Sequence, residues 1–213
     1  MKHALTSLKP AHDSRFRDLL GDAAWASLTP AIRRRFGKRL EGGSSVTYQG
    51  QVVAMRMSLL GRAIAQVTRL VGSPLPFDQS SVGQAAVVVV TEDTESDGQF
   101  WVRQYGRQHG FPQVVHSSKR FRGATGLEEY IGYGIGMALE VEATDEALYF
   151  KSAGYFLQVK KRKLRLPNWL TPGALVIGHH DMGDCNFLFS LHLTHPLFGE
   201  LIAQDCIFQD AKE

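Results

Sequence analysis

Two basic side chains and one acidic side chain stand out in segments that have strand periodicity. Arg103 and Lys119 lie on consecutive predicted strands, and Glu128 precedes a glycine-rich segment. If Arg103 faces inward and pairs with Glu128, the two form a buried ion pair, which is costly unless it is well satisfied. Such a pair would indicate a site for an acidic ligand group. The alternative is a solvated Arg103 whose stem lies along the sheet.

Histidines form a second set of candidate groups. His179 and His180 are neighbours on a predicted strand and therefore point to opposite faces, which is poor geometry for a shared metal ion. His192 lies on the more polar face of a later strand, and His195 precedes a proline, which favours an extended or turn conformation. Either of these two could act with Glu128 as general acid and base if the groups met in one pocket. The simpler interpretation gives the histidines ordinary hydrogen bonds, and no metal site is predicted.

The segment YIGYGIGMALEVEA, residues 130–143, places Gly132, Gly134 and Gly136 at alternate positions. Its spacing GxGxG differs from the dinucleotide fingerprint GxGxxG, and no helix-forming segment follows, so a nucleotide loop is disfavoured. The segment instead predicts a central strand with one face stripped of side chains. That face would permit tight helix packing and strand curvature, or it would form the floor of a ligand cavity. Both alternatives are open at this point.

The most basic stretch of the chain is VKKRKLRLPNWL, residues 159–170, in which Trp169 follows five Lys and Arg residues. Basic residues beside an aromatic side chain can bind nucleic acid or an anionic membrane. Positive charge also protects an edge strand from pairing with other chains, and this is the simpler interpretation. We expect no nucleic-acid partner. Nucleophilic catalysis has no support, because the sequence has no GxSxG segment and neither Cys185 nor Cys206 has an activating context.

The elements that must position these groups begin with helices. Residues 13–20 and the stretch SLTPAIRRRFG, with Thr29 as N-cap and Pro30 at the first helical position, predict two short helices. Residues 58–71 predict an amphipathic helix that ends before Gly72. Its apolar stripe, which we expect to pack on the sheet, comprises Leu59, Leu60, Ala63, Ile64, Val67, Leu70 and Val71.

From Ala85 onward the apolar pattern has a period of two, and turn signals separate eight or nine short segments. Such spacing without intervening helices is typical of an antiparallel meander, and a wide flat sheet would expose its edges. We therefore predict an α+β fold: N-terminal helices followed by a strongly curved antiparallel β-sheet or half-barrel of about 8–9 strands, with the amphipathic helix packed across it. The segments ALYFKSAG and YFLQVKKRKLRL are expected to form separate strands.

Composition limits the class of protein. The chain has 213 residues, 44% of them hydrophobic, and a formal net charge of +3. We expect one domain over residues 1–213. Neither a membrane span of about 20 apolar residues nor a signal peptide is evident, and two cysteines suit a reducing compartment. These observations predict a cytoplasmic protein, and no cofactor is predicted.

The chain as a whole resembles the bacterial domain of unknown function 4166 family. The resemblance covers about residues 28–209 and rests on the ordered segments SPLPF, FWVRQYG, HSSKRF, LEEYIGYGIGMALEV, LYFKSAGYFLQ, LRLPNWLTPG and FLFSLHLTHPLFGELIAQDCIF. It implies no established activity and supplies no catalytic residues. Some members of the family carry a saccharopine-dehydrogenase-like nucleotide-binding domain, so the resemblance implies such a protein as a possible partner of this stand-alone version.

The leading hypothesis is a non-catalytic binding domain for an apolar or lipid-like small molecule. An enzyme with a His/Glu acid–base site in the sheet cavity, or an accessory domain that docks a nucleotide-binding protein, are the alternatives. The candidate ligand-binding residues are Arg103, Lys119, Glu128, Gly132, Gly134, Gly136, His192 and His195.

Overall fold

The computed structural model describes residues 12–160 and 162–211, in which strands form a barrel whose two ends are covered by helices. The helices are α1 (Arg15–Leu20), α2 (Asp22–Ser27), α3 (Pro30–Phe36) and α4 (Leu59–Thr68). The strands are β1 (Ser45–Met57), β2 (Ala85–Asp93), β3 (Gly98–Tyr105), β4 (Gln113–Arg120), β5 (Leu127–Gly132), β6 (Ile135–Ala143), β7 (Ala147–Val159), β8 (Arg162–Arg165), β9 (Ala174–Gly183), β10 (Asn186–His195) and β11 (Gly199–Gln209).

Ten of these strands close into an antiparallel barrel. They follow the order β1, β2, β3, β4, β5, β6, β7, β9, β10 and β11, and β11 pairs again with β1. One edge of β7 pairs with β6 and the other with β9, whereas the extension of β7 past the barrel pairs with β8. The predicted α+β fold with antiparallel strands is confirmed. The open half-barrel of 8–9 strands is wrong, because pairing of β6 with β7 closes the sheet and satisfies the edges that an open sheet would expose.

One end of the barrel is filled by α1, α2 and α3, and we call it the plugged end. α3 begins as predicted, with the Thr29 hydroxyl accepting a hydrogen bond from the Ile32 amide at 3.4 Å. Phe16 and Phe36 are buried with their ring centroids 5.2 Å apart, and Phe16 lies edge-on to Phe150 of β7 at 5.9 Å. The predicted helix over residues 13–20 corresponds to α1, whereas α2 was not predicted.

Helix α4 crosses the opposite end of the barrel, which we call the mouth end. It starts where Ser58 donates its amide to the Leu201 carbonyl at 2.9 Å and caps the helix with its hydroxyl. Gly61 allows this approach, because a Cβ there would collide with the Leu201 carbonyl. Beyond the far end of the helix, Gly72 packs against the carbonyl of Ile131 on β5. The helix therefore spans the mouth from β11 to β5.

The predicted helix at the mouth is present, but only part of its predicted apolar stripe packs on the barrel, where Ile64 lies partly buried against the core. The small residues Gly61 and Ala65 are the buried ones in α4. Leu59, Val67 and the following Leu70 are exposed. The sequence pattern could not reveal which face of α4 is buried. The close approach of α4 to β11 requires small residues, here Gly61 and Ala65, and these do not mark an apolar stripe.

The glycine-rich segment is a hairpin and not one central strand, so this prediction is wrong. Gly132 of β5 pairs with Ile135 of β6, which leaves Tyr133 and Gly134 as a two-residue turn. Both turn residues have positive φ, 50° and 79°, as a type I′ turn requires. Gly132 also has a positive φ of 123°. The geometry of the turn therefore accounts for Gly132 and Gly134, because both have positive φ.

The basic stretch also divides differently from the prediction. β7 continues through Gly154 to Val159, so ALYFKSAG and YFLQV form one strand and not two. Lys160, with a φ of 55°, begins the turn into the short strand β8. β8 pairs with β7 only. This agrees with the interpretation that the basic residues lie on an edge strand.

Candidate functional site

A cluster of charged side chains lies inside the barrel, on three neighbouring strands. Arg103 projects inward from β3, Ser117 and Lys119 from β4, and Glu129 from β5, and all four are buried. The Ser117 hydroxyl donates to Glu129 at 2.5 Å, and the Lys119 ammonium lies 2.9 Å from the other oxygen of that carboxylate. Arg103 donates to Ser117 at 3.3 Å and lies 3.7 Å from Glu129. Two cationic side chains therefore share one carboxylate.

The electrostatics of the cluster keep Glu129 ionised. Burial alone would raise its pKa, but Lys119, Arg103 and the hydrogen bond from Ser117 outweigh burial and lower the pKa to about 2. Burial lowers the pKa of Lys119, Arg103 lowers it further, and Glu129 opposes both. A carboxylate that accepts hydrogen bonds and lies beside cations favours its charged form. The positive charge of Arg103 is thus only partly balanced.

Arg103 has hydrogen-bonding capacity that the described residues do not use. A guanidinium carries five N–H donors, and the Nε of Arg103 has no partner among residues 12–160 and 162–211. Its hydrogen bond to Ser117 is long, at 3.3 Å. A buried N–H donor that lacks a hydrogen-bond partner is costly. Arg103 can therefore accept an additional acidic partner.

An apolar cavity of about 220 Å³ opens directly above this cluster. Arg103, Ser117 and Glu129 form its polar floor. Its apolar walls include Val71, Leu75, Val115, Ile131, Ile135, Met137, Leu166, Leu170, Leu175, Ile177, Leu191 and Leu193. Tyr155 also lines it and donates its hydroxyl to the Gly173 carbonyl at 2.9 Å. An apolar chamber with a few convergent polar groups at one end is the usual form of a small-molecule site.

The space between the cluster and the plugged end is filled by aromatic rings. Trp101, His179 and Phe187 lie there, with the His179 ring edge-on to Phe36 at 5.0 Å and stacked on Phe187 at 5.9 Å. Lys119 lies over Phe150, 5.0 Å from the ring centroid. Burial is the largest of the causes that lower the pKa of His179 well below 6.5, so the imidazole is neutral at pH 7.

Glu128 is not in the interior cluster, so the Arg103–Glu128 pair considered from the sequence does not form. The alternative of a solvated Arg103 is also wrong, because Arg103 is buried. Neighbouring residues on a strand point to opposite faces, so Glu129 faces the barrel interior and Glu128 faces outward. There Glu128 pairs with Lys163 of β8 at 2.5 Å and accepts a hydrogen bond from Tyr130 at 3.0 Å. The sequence located the two adjacent carboxylates, but only the strand register decides which of them faces inward.

The structure does not bring His192 and His195 together with Glu128. His192 is partly exposed on the outside of β10, 3.7 Å from Glu200. His195 ends β10 and lies against Phe198 in the following turn. β10 is four strand positions from β5 around the barrel. The convergence that an acid–base site of these residues requires is therefore not present in the structure.

The three glycines lie outside the apolar cavity. Gly132 and Gly134 line a groove of about 340 Å³ on the outer surface, together with His116, Arg120 and Tyr130. A Cβ at Gly136 would meet the ring of Phe156 on the outer face of β7. The cavity instead lies on the bulky face of the hairpin, where Ile135 and Met137 form its wall. The expectation of a cavity against the glycine face is therefore wrong.

The described residues contain no group of three or more His, Cys, Asp and Glu side chains arranged to hold a metal ion. Among them there is also no helix of sufficient length and apolarity to cross a bilayer. Glu129, Ser117 and Tyr155 were missed as candidate residues. The alternation that placed Arg103 on one face would have selected Glu129 had the hairpin at Tyr133 been recognised, because the hairpin fixes the register of β5.

The cavity and its floor lie within a region that matches a known family over residues 28–208, described as Domain of unknown function (DUF4166). The chain belongs to this family. The matched region includes α3, α4 and the barrel strands up to Phe208 of β11. The family description assigns no function. No curated protein and no solved structure matches the chain significantly.

Within this DUF4166 domain, the match begins at Leu28, after α1 and α2, so the family region includes the cavity and only part of the plug. Arg103, Ser117 and Glu129 all lie inside it, as do the helix and loops at the mouth. The candidate site is therefore a feature of the family region and not of the segment that precedes it.

Proposed function

We propose that this barrel is a non-catalytic binding domain for a small apolar or lipid-like molecule that carries an acidic group. The observation that supports this most directly is the position of Arg103, a buried cation with unused donors, at the floor of an apolar cavity. The acidic group would lie on Arg103, and the apolar part would extend toward α4. Apolar walls supply affinity, and the few polar groups fix orientation.

The chemistry of the floor favours a carboxylate. A guanidinium is planar and binds carboxylates through two parallel hydrogen bonds. Such hydrogen bonds gain strength where water is excluded. Because Arg103 and Lys119 share the single carboxylate of Glu129, an incoming anion balances the cationic excess.

The size of the cavity limits the ligand. An engineered protein cavity of roughly 150 Å³ is large enough for benzene. The cavity here is about 220 Å³, so it encloses a short acyl chain or a small ring system. A longer chain would have to pass α4 or the loop that carries Leu170.

The same geometry argues against proton-transfer catalysis in the cavity. Glu129, with a pKa of about 2, is far too weak a base at neutral pH. Ser117 donates a hydrogen bond to that carboxylate, but so weak a base cannot take its proton, so the hydroxyl is not activated as a nucleophile. Binding uses the charge of Arg103 without requiring either group to exchange a proton.

Calorimetric titration with octanoate and octanol tests the proposal, because the two share a chain and differ in charge. We expect octanoate to bind at least tenfold more tightly at pH 7. Arg103→Met should abolish the preference, and Arg103→Lys should retain part of it. Mass spectrometry of the purified protein under native conditions should show a retained acidic molecule. Absence of binding by both ligands to a folded, ligand-free protein would refute the proposal.

Two adjacent residues of β4 provide a matched test of where the ligand lies. Val115 is buried and lines the cavity, whereas Val114 is exposed on the outer face of the same strand. Val115→Phe should fill the cavity and weaken octanoate at least tenfold. Val114→Phe should leave affinity unchanged. Equal effects of the two substitutions would place the ligand outside the cavity.

A further inference from the structure

The outer face of α4 and the residues that follow it present large apolar side chains to solvent. Leu59 is 84% exposed, Val67 66% and Leu70 80%. With Ala63, which is also exposed, they recur at helical spacing and form one continuous stripe. A stripe of this kind normally packs on a core, yet α4 packs through Gly61, Ala65 and the partly buried Ile64 on its other face. The stripe is therefore available for another apolar surface.

Two further loops extend the apolar surface at the same end of the barrel. The loop between β8 and β9 exposes Trp169 by 77%, and the β10–β11 turn exposes Leu197 by 83% and Phe198 by 62%. Both connections belong to the mouth end, because antiparallel strands place alternate connections at the same end. We call the stripe and these loops the apolar rim, consisting of Leu59, Ala63, Val67, Leu70, Trp169, Leu197 and Phe198. Clustered exposure of this kind marks an interaction surface.

Cations flank the apolar rim. Arg62 and Arg69 lie beside the stripe, and Arg162 and Arg165 are exposed on β8 next to the loop of Trp169. The plugged end carries both signs. The β2–β3, β6–β7 and β9–β10 connections there carry the carboxylates of Glu95, Asp97, Asp145, Glu146 and Asp184, whereas α1, α3 and the segment after α3 carry Arg17, Arg33, Arg34 and Lys38. At the mouth, cations adjoin a contiguous apolar surface.

We propose that the apolar rim docks the mouth end onto an anionic membrane surface. A helix with Leu and Val on one face and Arg at its flanks lies in the interface of a bilayer, with the apolar side chains among the acyl chains. Juxtaposed Arg residues add attraction to anionic headgroups. The plugged end then faces away from the bilayer.

A second copy of the chain fits this surface less well than a bilayer does. An isologous dimer through the rim would bring two copies of the same cation-flanked surface together. Like charges brought together in this way oppose association. An anionic bilayer supplies the complementary charge along with the apolar layer. This inference concerns the outer surface and does not depend on which molecule fills the cavity.

Sedimentation with vesicles tests the inference on the full chain without added ligand. We expect binding to vesicles of phosphatidylcholine with 30% phosphatidylglycerol, and at least tenfold weaker binding to phosphatidylcholine alone or to the anionic vesicles in 0.5 M salt. Leu59→Ser with Leu70→Ser should weaken binding at least tenfold. Since both side chains are exposed, folding should be unaffected. Met182→Ser, at an exposed apolar residue near the plugged end, is the matched control and should bind as the native chain does.

A second pair of variants tests the charge. Arg162→Gln with Arg165→Gln should weaken vesicle binding roughly twenty-five-fold, because each cation near an anionic surface contributes about fivefold. Arg34→Gln with Lys38→Gln removes the same charge near the plugged end and should have little effect. Equal loss from both pairs, or no binding to anionic vesicles, would overturn the proposal. If the chain did not bind vesicles but formed a dimer, or a complex with a nucleotide-binding protein, that depended on the rim residues, the proposal would also be overturned.

The vesicle experiment separates this inference from the proposed ligand site. Val115→Phe should weaken octanoate binding at least tenfold and leave vesicle binding intact. Leu59→Ser with Leu70→Ser should weaken vesicle binding and leave octanoate binding intact. A substitution that removed both activities while the protein remained folded would contradict the assignment of two distinct surfaces.

Discussion

The plugged end and the mouth end of this barrel are closed by helices in different ways. At the plugged end, α1 and α3 insert Phe16, Ile32 and Phe36 among the rings of the barrel interior. At the mouth end, α4 contributes the small buried residues Gly61 and Ala65 and the partly buried Ile64, whereas Leu59 and Val67 point outward. Interlocked rings pack the plugged end closely, and the small residues of α4 leave a cavity at the mouth end. Stability and binding are therefore assigned to different ends of one core.

The largest expected difference between the ends is in stability. Phe36→Ala should lower the free energy of unfolding by roughly 3–5 kcal/mol, because it removes a ring packed against Phe16, Trp101 and Phe150. Leu70→Ala at the mouth should change it by less than about 0.5 kcal/mol, because that side chain is exposed. Urea denaturation measures both. Comparable losses would mean that the rim of α4 packs on the core.

The charged cluster lies between the two ends and should show the next largest effect. Glu129→Gln leaves Arg103 and Lys119 without a counter-charge in a buried position, which should cost about 3 kcal/mol. Glu128→Gln is the matched control on the outer face, where its partners Lys163 and Arg122 are partly exposed and can be hydrated. Glu128 itself is buried, but the cations that remain can be hydrated, so the cost should be smaller than that of Glu129→Gln. A larger loss from Glu128→Gln than from Glu129→Gln would reverse the assignment of the inward carboxylate.

The plugged end should also be sensitive to acid through His179. Burial lowers the pKa of His179 in the folded state well below 6.5, so below pH 6.5 the unfolded chain binds a proton that the folded chain does not. Stability therefore falls as the pH is lowered, by up to about 1.4 kcal/mol per pH unit below 6.5 and up to about 2 kcal/mol at pH 5. His179→Leu should remove this loss between pH 7 and pH 5, as measured by urea denaturation at each pH.

A neighbouring histidine controls for general effects of acid. His180 points outward, is partly buried, and contacts Ser190 at 3.2 Å. Burial also lowers its pKa, so His180→Gln should remove a smaller part of the same loss. Glu129 does not interfere, since its contribution is present above pH 4.5 and is lost only as the pH falls toward 2. An unchanged pH dependence in His179→Leu would show that the pKa of His179 is not lowered in the folded state.

The sequence predicted the elements of the plugged end better than the geometry of the mouth. Thr29 and Pro30 mark the start of α3 through local capping chemistry, which needs no tertiary information. The orientation of α4 depends on Gly61 meeting the Leu201 carbonyl, a contact between residues far apart in sequence. Closure of the barrel likewise depends on β6 pairing with β7 after a hairpin that turns at Tyr133. Period-two alternation locates strands, but it does not show whether a sheet closes.

The candidate site shows the same limit at single residues. Arg103 and Lys119 were found because alternation placed them on strand faces, and the structure places both inside the barrel. Glu128 was chosen in place of Glu129 because one residue of register reverses the face. The apolar walls of the cavity come from strands throughout the barrel, so only the closed fold assembles them.

The smallest expected effect is a local change in dynamics that ligand binding should produce at one end only. Amides in α4 should exchange with deuterium faster than those in α3, because the buried contacts of α4 come from Gly61 and Ala65. Octanoate at ten times its dissociation constant should stabilise the closed mouth by about 1.4 kcal/mol, or roughly tenfold slower exchange in α4. The exchange rates of amides in α3 should change much less, because local opening of α3 leaves the cavity closed and the ligand bound. Arg103→Met should abolish the effect. Equal protection of α3 and α4 would mean that the two ends open as one unit, so that the mouth has no independent motion through which a ligand could enter.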